Sequence, residues 1–345
     1  MNWFRKLAGR GSRAFKRRYI SRGLMLTYHR VAEDSVDPWG LCVSPANFAR
    51  HMELIRAMGF RPVHVSELAD ALRERRLARR TIAVTFDDGY VDNLDAARPI
   101  LERYETPATH YATAGYIGSD EPFWWDVLDF IFLRPGQLPY GLEITLSGNL
   151  HRWTLDDDDR LLRPGDERQW PDWRALSSAP TRRHEIHDAI WRLLVTALPA
   201  ERERIVRELL DWAALERSTW AQVRPMSEGE LRALRGDGLV EIGAHGLTHP
   251  ALSAMPPAVQ AHELNASKSR LEKILKTTIR GCAYPHGRTS LSVQQLARDA
   301  GYDFACGSEK RAVEPGSNLF ELPRVSVKNW GEARFRSLLE HHIAA

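Results

Sequence analysis

The stretch Thr81-Ile82-Ala83-Val84-Thr85-Phe86-Asp87-Asp88-Gly89 decides the fold of this chain. Its first six residues are apolar or β-branched, a pattern typical of a strand that is buried on both faces of a parallel sheet. Two carboxylates and a glycine follow directly. Catalytic groups gather at the carboxyl ends of such strands in α/β barrels. Asp87 and Asp88 are therefore candidate site residues, although Asp-Asp-Gly is also a common surface turn.

Strand and helix patterns alternate on both sides of this stretch. Ser66 is the predicted cap of a helix, and Gly59 follows another helix as a predicted stop. Strands that alternate with helices indicate a parallel sheet or a barrel. The strands and helices predicted from the apolar periodicity in this part are, in chain order, 24–28, 45–58, 67–76, 92–104 and 108–112.

The composition is that of a soluble globular protein, with 43% hydrophobic and 27% charged residues. A net charge of +3 is too small to indicate a nucleic-acid binder, so no nucleic-acid partner is expected. The three cysteines lack the CxxC spacing of a zinc ribbon or a redox pair. Indole faces can stack on sugar rings, so the 11 tryptophans give weak support to a carbohydrate ligand.

The first 22 residues are basic and contain no acidic residue. They lack the apolar run that a secretory signal or a membrane span requires. We therefore expect a cytoplasmic protein. The segment is predicted either to touch an anionic membrane surface, peripherally at the inner face, or to be a solvated tail.

A second polar element follows another predicted strand, in Glu241-Ile242-Gly243-Ala244-His245-Gly246-Leu247-Thr248-His249. His245 and His249 are four residues apart, so on one helical turn they would share a face and could bind one metal ion. One carboxylate and two imidazoles leave coordination positions open for water and substrate, which is typical of catalytic metal sites.

These two elements together resemble the NodB-homology polysaccharide deacetylases (carbohydrate esterase family 4). Residues 85–89 correspond to the first motif of that family and residues 245–249 to the second. Pro285 and Gly287, in Ala283-Tyr284-Pro285-His286-Gly287, correspond to the third. The resemblance implies an α/β fold, namely a distorted (β/α) barrel of about seven strands.

Residues 119–225 interrupt the barrel pattern with helical periodicity, and we predict a mostly helical insertion there. It could form one wall of a substrate cleft or be a peripheral addition. The predicted segments are the basic N-terminal segment (1–22), the first part of the deacetylase barrel (23–118), the insertion (119–225), the second part of the barrel (226–335) and a C-terminal tail (336–345).

The resemblance also implies residue roles. Asp88, His245 and His249 would bind a divalent cation, usually zinc in the family, although such ligands also accept cobalt, iron or nickel. Asp87 would be the general base for a water molecule. The backbone N–H of His286 would help to hold the tetrahedral oxyanion.

The sequence departs from the family pattern in three places. Position 283 is Ala where the third motif usually has an arginine that orients the base, and Arg324 is either its substitute or a surface ion-pairing residue. His286 replaces the usual aromatic residue. The usual C-terminal Leu-x-His motif is missing, and His341 and His342 lie in a terminus that we expect to be frayed.

His29 is the predicted general acid. Thr27-Tyr28-His29 ends the first predicted strand and resembles the Tyr-His motif of the permuted biofilm-polysaccharide deacetylases. The imidazole pKa suits proton donation near neutral pH. A purely structural role for His29 is the alternative interpretation, and the His286 side chain is a rival acid.

Several residues are candidate contacts for the substrate, and each aromatic among them could equally belong to the core. The catalytic candidates are thus Asp87, His29 and His286, and the metal candidates are Asp88, His245 and His249. The candidate substrate contacts are Trp125, Asp126, Tyr284 and Arg324, with Trp39, Trp124 and Trp330 as further aromatics.

We therefore predict metal-dependent hydrolysis of the N-acetyl group of an amino sugar. The substrate would be a polysaccharide or its lipid-linked or nucleotide-linked precursor in surface glycan biosynthesis. Other functions considered are a non-catalytic carbohydrate-binding protein on the same fold and an O-acetyl esterase. A two-His, one-carboxylate iron oxygenase and a glycosidase, which needs two carboxylates flanking the scissile bond, fit less well.

Overall fold

A computed structural model describes residues 22–215, 220 and 223–344 of the chain. The predicted membrane contact of residues 1–22 lies outside the described residues, except for Arg22, whose guanidinium pairs with Glu314 at 2.8 Å. Among the described helices, none is both long enough and apolar enough to cross a membrane.

The centre of the molecule is an eight-stranded, all-parallel sheet. The strands of this sheet are β1 (Gly23–Tyr28), β4 (Arg61–Pro62), β5 (Thr81–Phe86), β6 (Ala108–Ala112), β11 (Val240–Ala244), β12 (Gly281–Ala283), β13 (Phe304–Cys306) and β14 (Val325–Ser326). Neighbouring strands follow the order β13-β12-β11-β6-β5-β1-β14, and β4 pairs with the start of β5.

The two ends of the sheet meet. A parallel bridge joins Cys306 of β13 to Leu322, which lies just before β14 in the chain. The backbone N–H of Gly307 also donates to the Leu322 carbonyl at 2.9 Å. The sheet is thereby closed into a distorted barrel, which confirms the predicted fold class.

Alternate side chains of the strands face different apolar clusters, because the side-chain period of a strand is two. Leu24 and Leu26 of β1 lie in the large cluster between the sheet and the surrounding helices. Met25 lies in a smaller inner cluster with Ala83 of β5 and Tyr111 of β6. Burial on both faces explains why these strands are continuously apolar.

Helices surround the barrel close to where the sequence predicts them. One boundary was wrong, since Ser66 lies inside a helix whose cap position is His64. His341 and His342, expected to be frayed, lie in the last helix. The helices are α1 (Pro45–Ala57), α2 (Val65–Arg73), α3 (Arg98–Arg103), α4 (Trp124–Phe132), α5 (Asp157–Arg160), α6 (Arg182–Leu194), α7 (Pro199–Ala213), α8 (Glu228–Arg235), α9 (Pro257–Leu275), α10 (Leu291–Asp299) and α11 (Glu332–Ala344).

Residues 119–225 contribute α4–α7 and a second apolar cluster of their own. They also contain an antiparallel hairpin of β8 (Gly141–Leu146) and β9 (Asn149–Thr154), which was not among the predicted elements. Tyr90 and Ala251 of the barrel belong to this second cluster, so the insertion packs directly beside the site motifs. The remaining strands are β2 (Arg30–Val31), β3 (Cys42–Val43), β7 (Gly136–Gln137), β8 (Gly141–Leu146), β9 (Asn149–Thr154) and β10 (Leu161–Leu162).

Candidate active site

The side chains that point into the barrel become polar toward the carboxyl ends of the strands. Met25 lies in the inner cluster, and Thr27 and His29 follow it at every second position. Ala83 and Asp87 are placed in the same way along β5 and the residue after it. The period of two therefore directs His29 and Asp87 to the same place. They line a cavity of about 320 Å³ at the barrel mouth, together with Asp88, His245, His249 and His286.

The Asp-Asp-Gly turn brings both carboxylates to this cavity. Asp88 has a left-handed backbone with φ of 76°, and Gly89 follows with φ of 117°. A side chain at Gly89 would also lie 3.3 Å from Ile117, so glycine suits the position for two reasons. Thr113 N–H donates to the Asp88 carbonyl at 2.8 Å and fixes the turn. This turn therefore lets both carboxylates reach one cavity.

The two histidines of the second motif do not lie on a helical turn, which corrects the sequence-based expectation. Residues 245–249 form an irregular loop, in which Gly246 has φ of 73° and His249 has φ of 61°. The Glu263 carboxylate accepts hydrogen bonds from the N–H groups of Leu247 and Thr248 at 2.7 and 2.9 Å. The positions of the two imidazoles are therefore set by a loop whose backbone is held by the Glu263 side chain from another element, and not by the spacing of a helix.

Arg202, on helix α7 of the insertion, holds the other side of this loop. Its guanidinium donates to the carbonyls of Thr248 and His249, the latter at 3.4 Å. The side chain is buried, with 2% exposure, and burial lowers its pKa. Neither Arg202 nor Glu263 belongs to a motif, so no sequence signal pointed to either residue.

The three candidate metal ligands form a nearly equilateral triangle. The Nε2 atoms of His245 and His249 are 3.2 Å apart. They lie 3.6 and 3.5 Å from Asp88 Oδ1. A tetrahedral zinc ion with bonds of about 2.0–2.1 Å has ligand atoms about 3.3 Å apart. The triangle therefore fits one face of such a coordination sphere.

Hydrogen bonding and burial also suit a cation at this triangle. His245 Nδ1 donates to the Ala283 carbonyl at 2.9 Å, which leaves the Nε2 lone pair facing the other two ligands. Burial raises the pKa of Asp88, and the neighbouring Asp87 raises it further. Burial lowers the pKa of both His245 and His249. Neutral imidazoles beside a buried carboxylate provide the donor set that a divalent cation would bind and neutralise.

Arg324 holds Asp87 by two parallel hydrogen bonds. Its Nη1 donates to Asp87 Oδ1 at 2.7 Å and its Nη2 to Oδ2 at 2.8 Å. Its Nε donates to the Gly307 carbonyl at 3.1 Å. Arg324 lines the cavity but is only 3% exposed, and its donors are engaged in this way, which favours orientation of Asp87 over the predicted contact with substrate. The geometry therefore favours the interpretation that Arg324 substitutes for the arginine missing at position 283 over that of a surface ion-pairing residue.

This pairing sets the protonation state of Asp87. Burial by itself would raise the pKa of this carboxyl. The charges of Arg324 and His245 and the hydrogen bonds from Arg324 outweigh burial, so the pKa of Asp87 lies well below its usual range. Asp87 is therefore ionised at neutral pH and able to accept a proton.

His29 and His286 both line the cavity. Burial lowers the pKa of His29 to about 4, although the charge of Asp87 opposes the shift. Burial and the neighbouring His245 and Arg202 lower the pKa of His286 to about 3. His286 has a left-handed backbone with φ of 58°, and its Nε2 is buried without a hydrogen-bond partner among the described residues. Both rings are thus neutral at neutral pH in the absence of substrate.

Three indoles wall the cavity: Trp125 of α4, Trp191 of α6 and Trp39 of the β2–β3 loop. Trp39 and Trp191 pack with ring centroids 4.8 Å apart. Two of the three come from the insertion, so residues 119–225 form part of the wall of the cavity. Trp191 belongs to no sequence motif, and neither do Ser308 and Lys310, which also line the cavity.

Two predicted substrate contacts lie elsewhere. Asp126 is buried outside the lining of this cavity, and its carboxylate accepts from the Tyr90 hydroxyl at 3.1 Å. Tyr284 is fully buried, and its hydroxyl donates to the Phe320 carbonyl at 3.0 Å. Trp124 and Trp330 are likewise not in the lining of this cavity. Proximity in sequence to a site motif does not decide which way a side chain points, because alternate residues face opposite sides.

Comparison with known sequences supports the resemblance. The model of the family described as Polysaccharide deacetylase matches residues 74–134 and 213–305, which contain all three motifs. The putative polysaccharide deacetylase YxkH of Bacillus subtilis is 28% identical over 95 residues, which cover 27% of this chain and 33% of that protein. The poly-beta-1,6-N-acetyl-D-glucosamine N-deacetylase of Escherichia coli is 26% identical over 84 residues, covering 24% and 12%. The matches thus span a third or less of these curated relatives.

Comparison with solved structures supports the fold. The structure of IcaB from Ammonifex degensii has a TM-score of 0.57 at 16% identity, covering 94% of this chain and 97% of that one. The Streptococcus pyogenes deacetylase PplD, solved in complex with acetate, has a TM-score of 0.55 at 17% identity, with coverage of 90% and 94%. At these identities the likeness concerns the fold alone.

Proposed function

We propose that this chain is a member of the polysaccharide deacetylase family and removes the acetyl group from the nitrogen of an amino sugar in a metal-dependent reaction. One observation carries the proposal. A triangle of metal-ligating atoms lies in the same cavity as an ionised carboxylate that a buried arginine holds in place. One carboxylate can therefore bind the cation while the other accepts a proton.

Asp88, His245 and His249 would hold the cation. A bound divalent cation supplies Lewis acidity, which polarises an acetyl carbonyl and makes a water molecule more acidic. The three residues are buried and line the cavity, so a cation that they held would face the space that substrate can enter.

Asp87 acts as the general base. Its side chain is 4% exposed and its carboxylate is oriented by both Arg324 donors. The atoms that could hold one metal ion belong to Asp88, His245 and His249 and not to Asp87, whose Oδ2 lies 3.8 Å from His245 Nε2, so the base stands beside the ligand triangle. It removes the proton from the attacking water and holds it within the cavity.

The proton that Asp87 takes from water passes to His29, which lines the same cavity, and from His29 to the departing amine, so that one proton is taken and one is delivered. The low pKa of His29 makes its protonated form a strong acid. Negative charge on the tetrahedral adduct favours protonation of this ring during turnover. The backbone N–H of His286 is the donor for the developing oxyanion, in a turn that runs from Pro285 to Gly287 at the cavity edge.

The wall of indoles supports a sugar as the group that carries the acetamide. Flat aromatic faces with a few polar neighbours are the usual surroundings of a bound sugar ring. The E. coli relative is named for poly-beta-1,6-N-acetyl-D-glucosamine, which makes β-1,6-linked N-acetylglucosamine the first substrate to test. A polymer or a carrier-linked precursor of a surface glycan would each present this group.

Acetate release tests the proposal. The purified chain, stripped of metal with a chelator and then supplied with zinc, cobalt or nickel, is incubated with β-1,6- and β-1,4-linked N-acetylglucosamine oligosaccharides and with O-acetylated sugars. We expect metal-dependent acetate release from the N-acetylated substrates and its loss in Asp87→Asn.

Two other results would each replace the proposal. Faster release from the O-acetylated sugars would assign an esterase. Tight binding of oligosaccharides without acetate release under any metal would assign a carbohydrate-binding protein on this fold.

A further inference from the structure

Three basic side chains lie close together at the turn around Gly40, on the rim of the catalytic cavity. A Cβ atom at Gly40 would lie 3.5 Å from Lys328 Nζ and 3.6 Å from Arg174 Nε, so both cationic groups border the same small space. Gly40 has a left-handed backbone with φ of 60°, which disfavours a side chain and keeps this space open. Lys310 lines the catalytic cavity, as does Trp39 of the same turn.

Backbone contacts fix two of the three cations in place. The N–H of Ala175 donates to the Pro38 carbonyl at 2.9 Å, which holds Arg174 of the insertion beside the turn. Lys328 Nζ donates to the carbonyl of Trp39 at 3.0 Å and to that of the next residue at 2.9 Å. The two cationic groups are therefore positioned before any ligand binds, which lowers the entropy cost of binding one.

Donors of these side chains remain available to a ligand. Among the described residues, none of the three cations forms an ion pair with a carboxylate. Arg174 donates through Nη1 to the carbonyls of Pro171 and Trp173, so its Nε and Nη2 have no partner in the described part of the chain. An ammonium group has three N–H groups, and Lys328 uses two of them on carbonyls. Lys310 is exposed.

The charges of these residues act on one another and on the proposed acid. Burial lowers the pKa of Lys328, and the charge of Asp37 opposes this shift. The neighbouring charges of Arg174 and Lys310 lower this pKa further. The pKa of His29 is lowered chiefly by burial, and Lys328 is among the charges that lower it further. Because like charges at short range repel one another, an anion bound among the three cations would relieve that repulsion.

The carboxylates nearby are engaged elsewhere. Asp37 accepts hydrogen bonds from the N–H groups of Leu41 and Cys42 at 2.7 and 3.0 Å. The two carboxylates in the lining of the catalytic cavity are those of the base, which is paired with its arginine, and of the candidate metal ligand. A neutral polysaccharide would leave the rim cations without a counter-ion, whereas an anionic substrate would supply one.

A phosphoryl group on the anomeric carbon is the anion that this position suits. The acetamide of an amino sugar is on the carbon next to the anomeric carbon, so an anomeric phosphoryl group lies close to the acetamide. An acetamide in the catalytic cavity therefore places such a group at the cavity or its rim. Guanidinium and ammonium groups are the side chains that bind phosphate oxygens most strongly. The carboxylate of an acidic polysaccharide would lie on a different sugar unit.

We propose that Arg174, Lys310 and Lys328 form a phosphoryl-binding site at the rim of the catalytic cavity, and that the substrate is an N-acetylated sugar joined to its carrier through a phosphate or diphosphate. The inference rests on the proposed function and narrows its substrate class from N-acetylated glycans in general to phosphoryl-linked sugars. A nucleotide carrier and a lipid carrier share this chemistry.

Calorimetry tests the phosphoryl site separately from the reaction. The zinc-loaded Asp87→Asn variant, which should not release acetate, is titrated with N-acetylglucosamine 1-phosphate and with the neutral methyl glycoside of N-acetylglucosamine. Arg174→Gln and Lys310→Gln are added in this background, singly and together, whereas Lys328 is left in place because it also holds the turn. Lys273→Gln is the control, an exposed lysine of α9 outside the cavity lining. Any contact of the phosphoryl group with zinc is common to all these variants.

We expect the sugar phosphate to bind at least about tenfold more tightly than the methyl glycoside in the starting background and in Lys273→Gln. The double variant Arg174→Gln, Lys310→Gln should lose most of this preference. Equal Kd values for the two ligands in the starting background, or an unchanged preference in the double variant, would overturn the phosphoryl site.

Two carrier-linked sugars distinguish the sources of the phosphoryl group. They are UDP-N-acetylglucosamine and farnesyl-diphospho-N-acetylglucosamine, and the one that binds more tightly than the sugar 1-phosphate identifies the carrier. Selective binding of phosphoryl-linked sugars without acetate release by the parent under any metal would overturn the proposed function and retain the phosphoryl site. Acetate release by the parent with equal kcat/KM from neutral and phosphoryl-linked sugars would retain the proposed function and overturn the phosphoryl site.

Discussion

Arg324 and Asp87, 237 residues apart in the chain, form a buried ion pair with two hydrogen bonds across the barrel mouth. Arg324 lies just before β14 and Asp87 just after β5, and both strands pair with β1. In the proposed mechanism, the arginine that orients the base thus comes from the residue just before the last strand of the sheet, and position 283 can be alanine. A fork of donors fixes the carboxylate more closely than a single ammonium could.

Replacing Arg324 with methionine should abolish most activity. The variant leaves a buried, unpaired carboxylate, which raises the pKa of Asp87 and removes the base. We expect acetate release to fall at least about 100-fold and the free energy of unfolding to fall by about 3–5 kcal/mol. Arg311→Met, at an exposed ion pair, is the control for a lost surface arginine. Normal activity in Arg324→Met would show that Asp87 does not need this partner.

The two neighbouring aspartates should respond differently to the same change. Asp88→Asn removes a ligand, so zinc binding measured by calorimetry should weaken strongly. Asp87→Asn should bind zinc nearly as well as the parent and yet release no acetate, because only the base is lost. Equal loss of zinc affinity in both variants would mean that the two carboxylates share the cation.

His29 and His286 can be separated by the leaving group. If His29 protonates the amine, His29→Gln should slow amide hydrolysis by about 100-fold or more. It should spare an aryl acetate, whose leaving group needs no proton. His286→Gln is the matched comparison, since its backbone donor is retained. A selective loss in His286→Gln instead would make the side chain of His286 the acid.

Arg202 should control metal affinity from outside the ligand set. Its donors hold the carbonyls of Thr248 and His249. Loss of such outer contacts typically weakens metal binding by about 10–100-fold, which is the range we expect for Arg202→Met in a zinc titration. Arg204→Met is the control, because Arg204 lies on the same helix and pairs with Glu208 at the surface. Unchanged zinc affinity in Arg202→Met would reduce Arg202 to a packing role.

Glu230 should give stability a defined pH dependence. Hydrogen bonds from Arg224 outweigh partial burial and, with the Ser227 cap, lower the pKa of Glu230 to about 2. A lowered pKa stabilises the folded state above the unfolded value of about 4.3. That stabilisation is lost as the pH falls through the folded value of about 2.

Denaturation of Glu230→Gln as a function of pH tests this. At neutral pH we expect the variant to be less stable than the parent by about 1–2 kcal/mol. The difference should vanish between about pH 4 and about pH 2. Glu228→Gln, on the same helix at a more exposed pair with Arg232, should show little difference at any pH. A constant deficit in Glu230→Gln at all pH values would contradict an electrostatic origin.

Much of the site could be predicted because local patterns encode it. The apolar run that ends in Asp87 and Asp88 marks a strand end, and the period of two directs every second side chain into the barrel. The helical-turn geometry expected for His245 and His249 was wrong, because Glu263 and Arg202 fix that loop from other elements. Asp126 and Tyr284 were misplaced for the same reason, since packing decided their direction.

By itself, the sequence determined the alternation of strands and helices and the residue types that follow the strands, because these depend on the periodicity and the ends of short segments. The resemblance of the three motifs, and not the periodicity, implied a distorted barrel instead of an open parallel sheet. Only the tertiary structure decided that Arg324 orients Asp87, that insertion tryptophans wall the cavity, and that basic side chains from distant segments meet at Gly40. Such relationships join segments that are far apart in the chain. They depend on the order of the strands in the sheet and on packing, and a local sequence pattern contains information about neither.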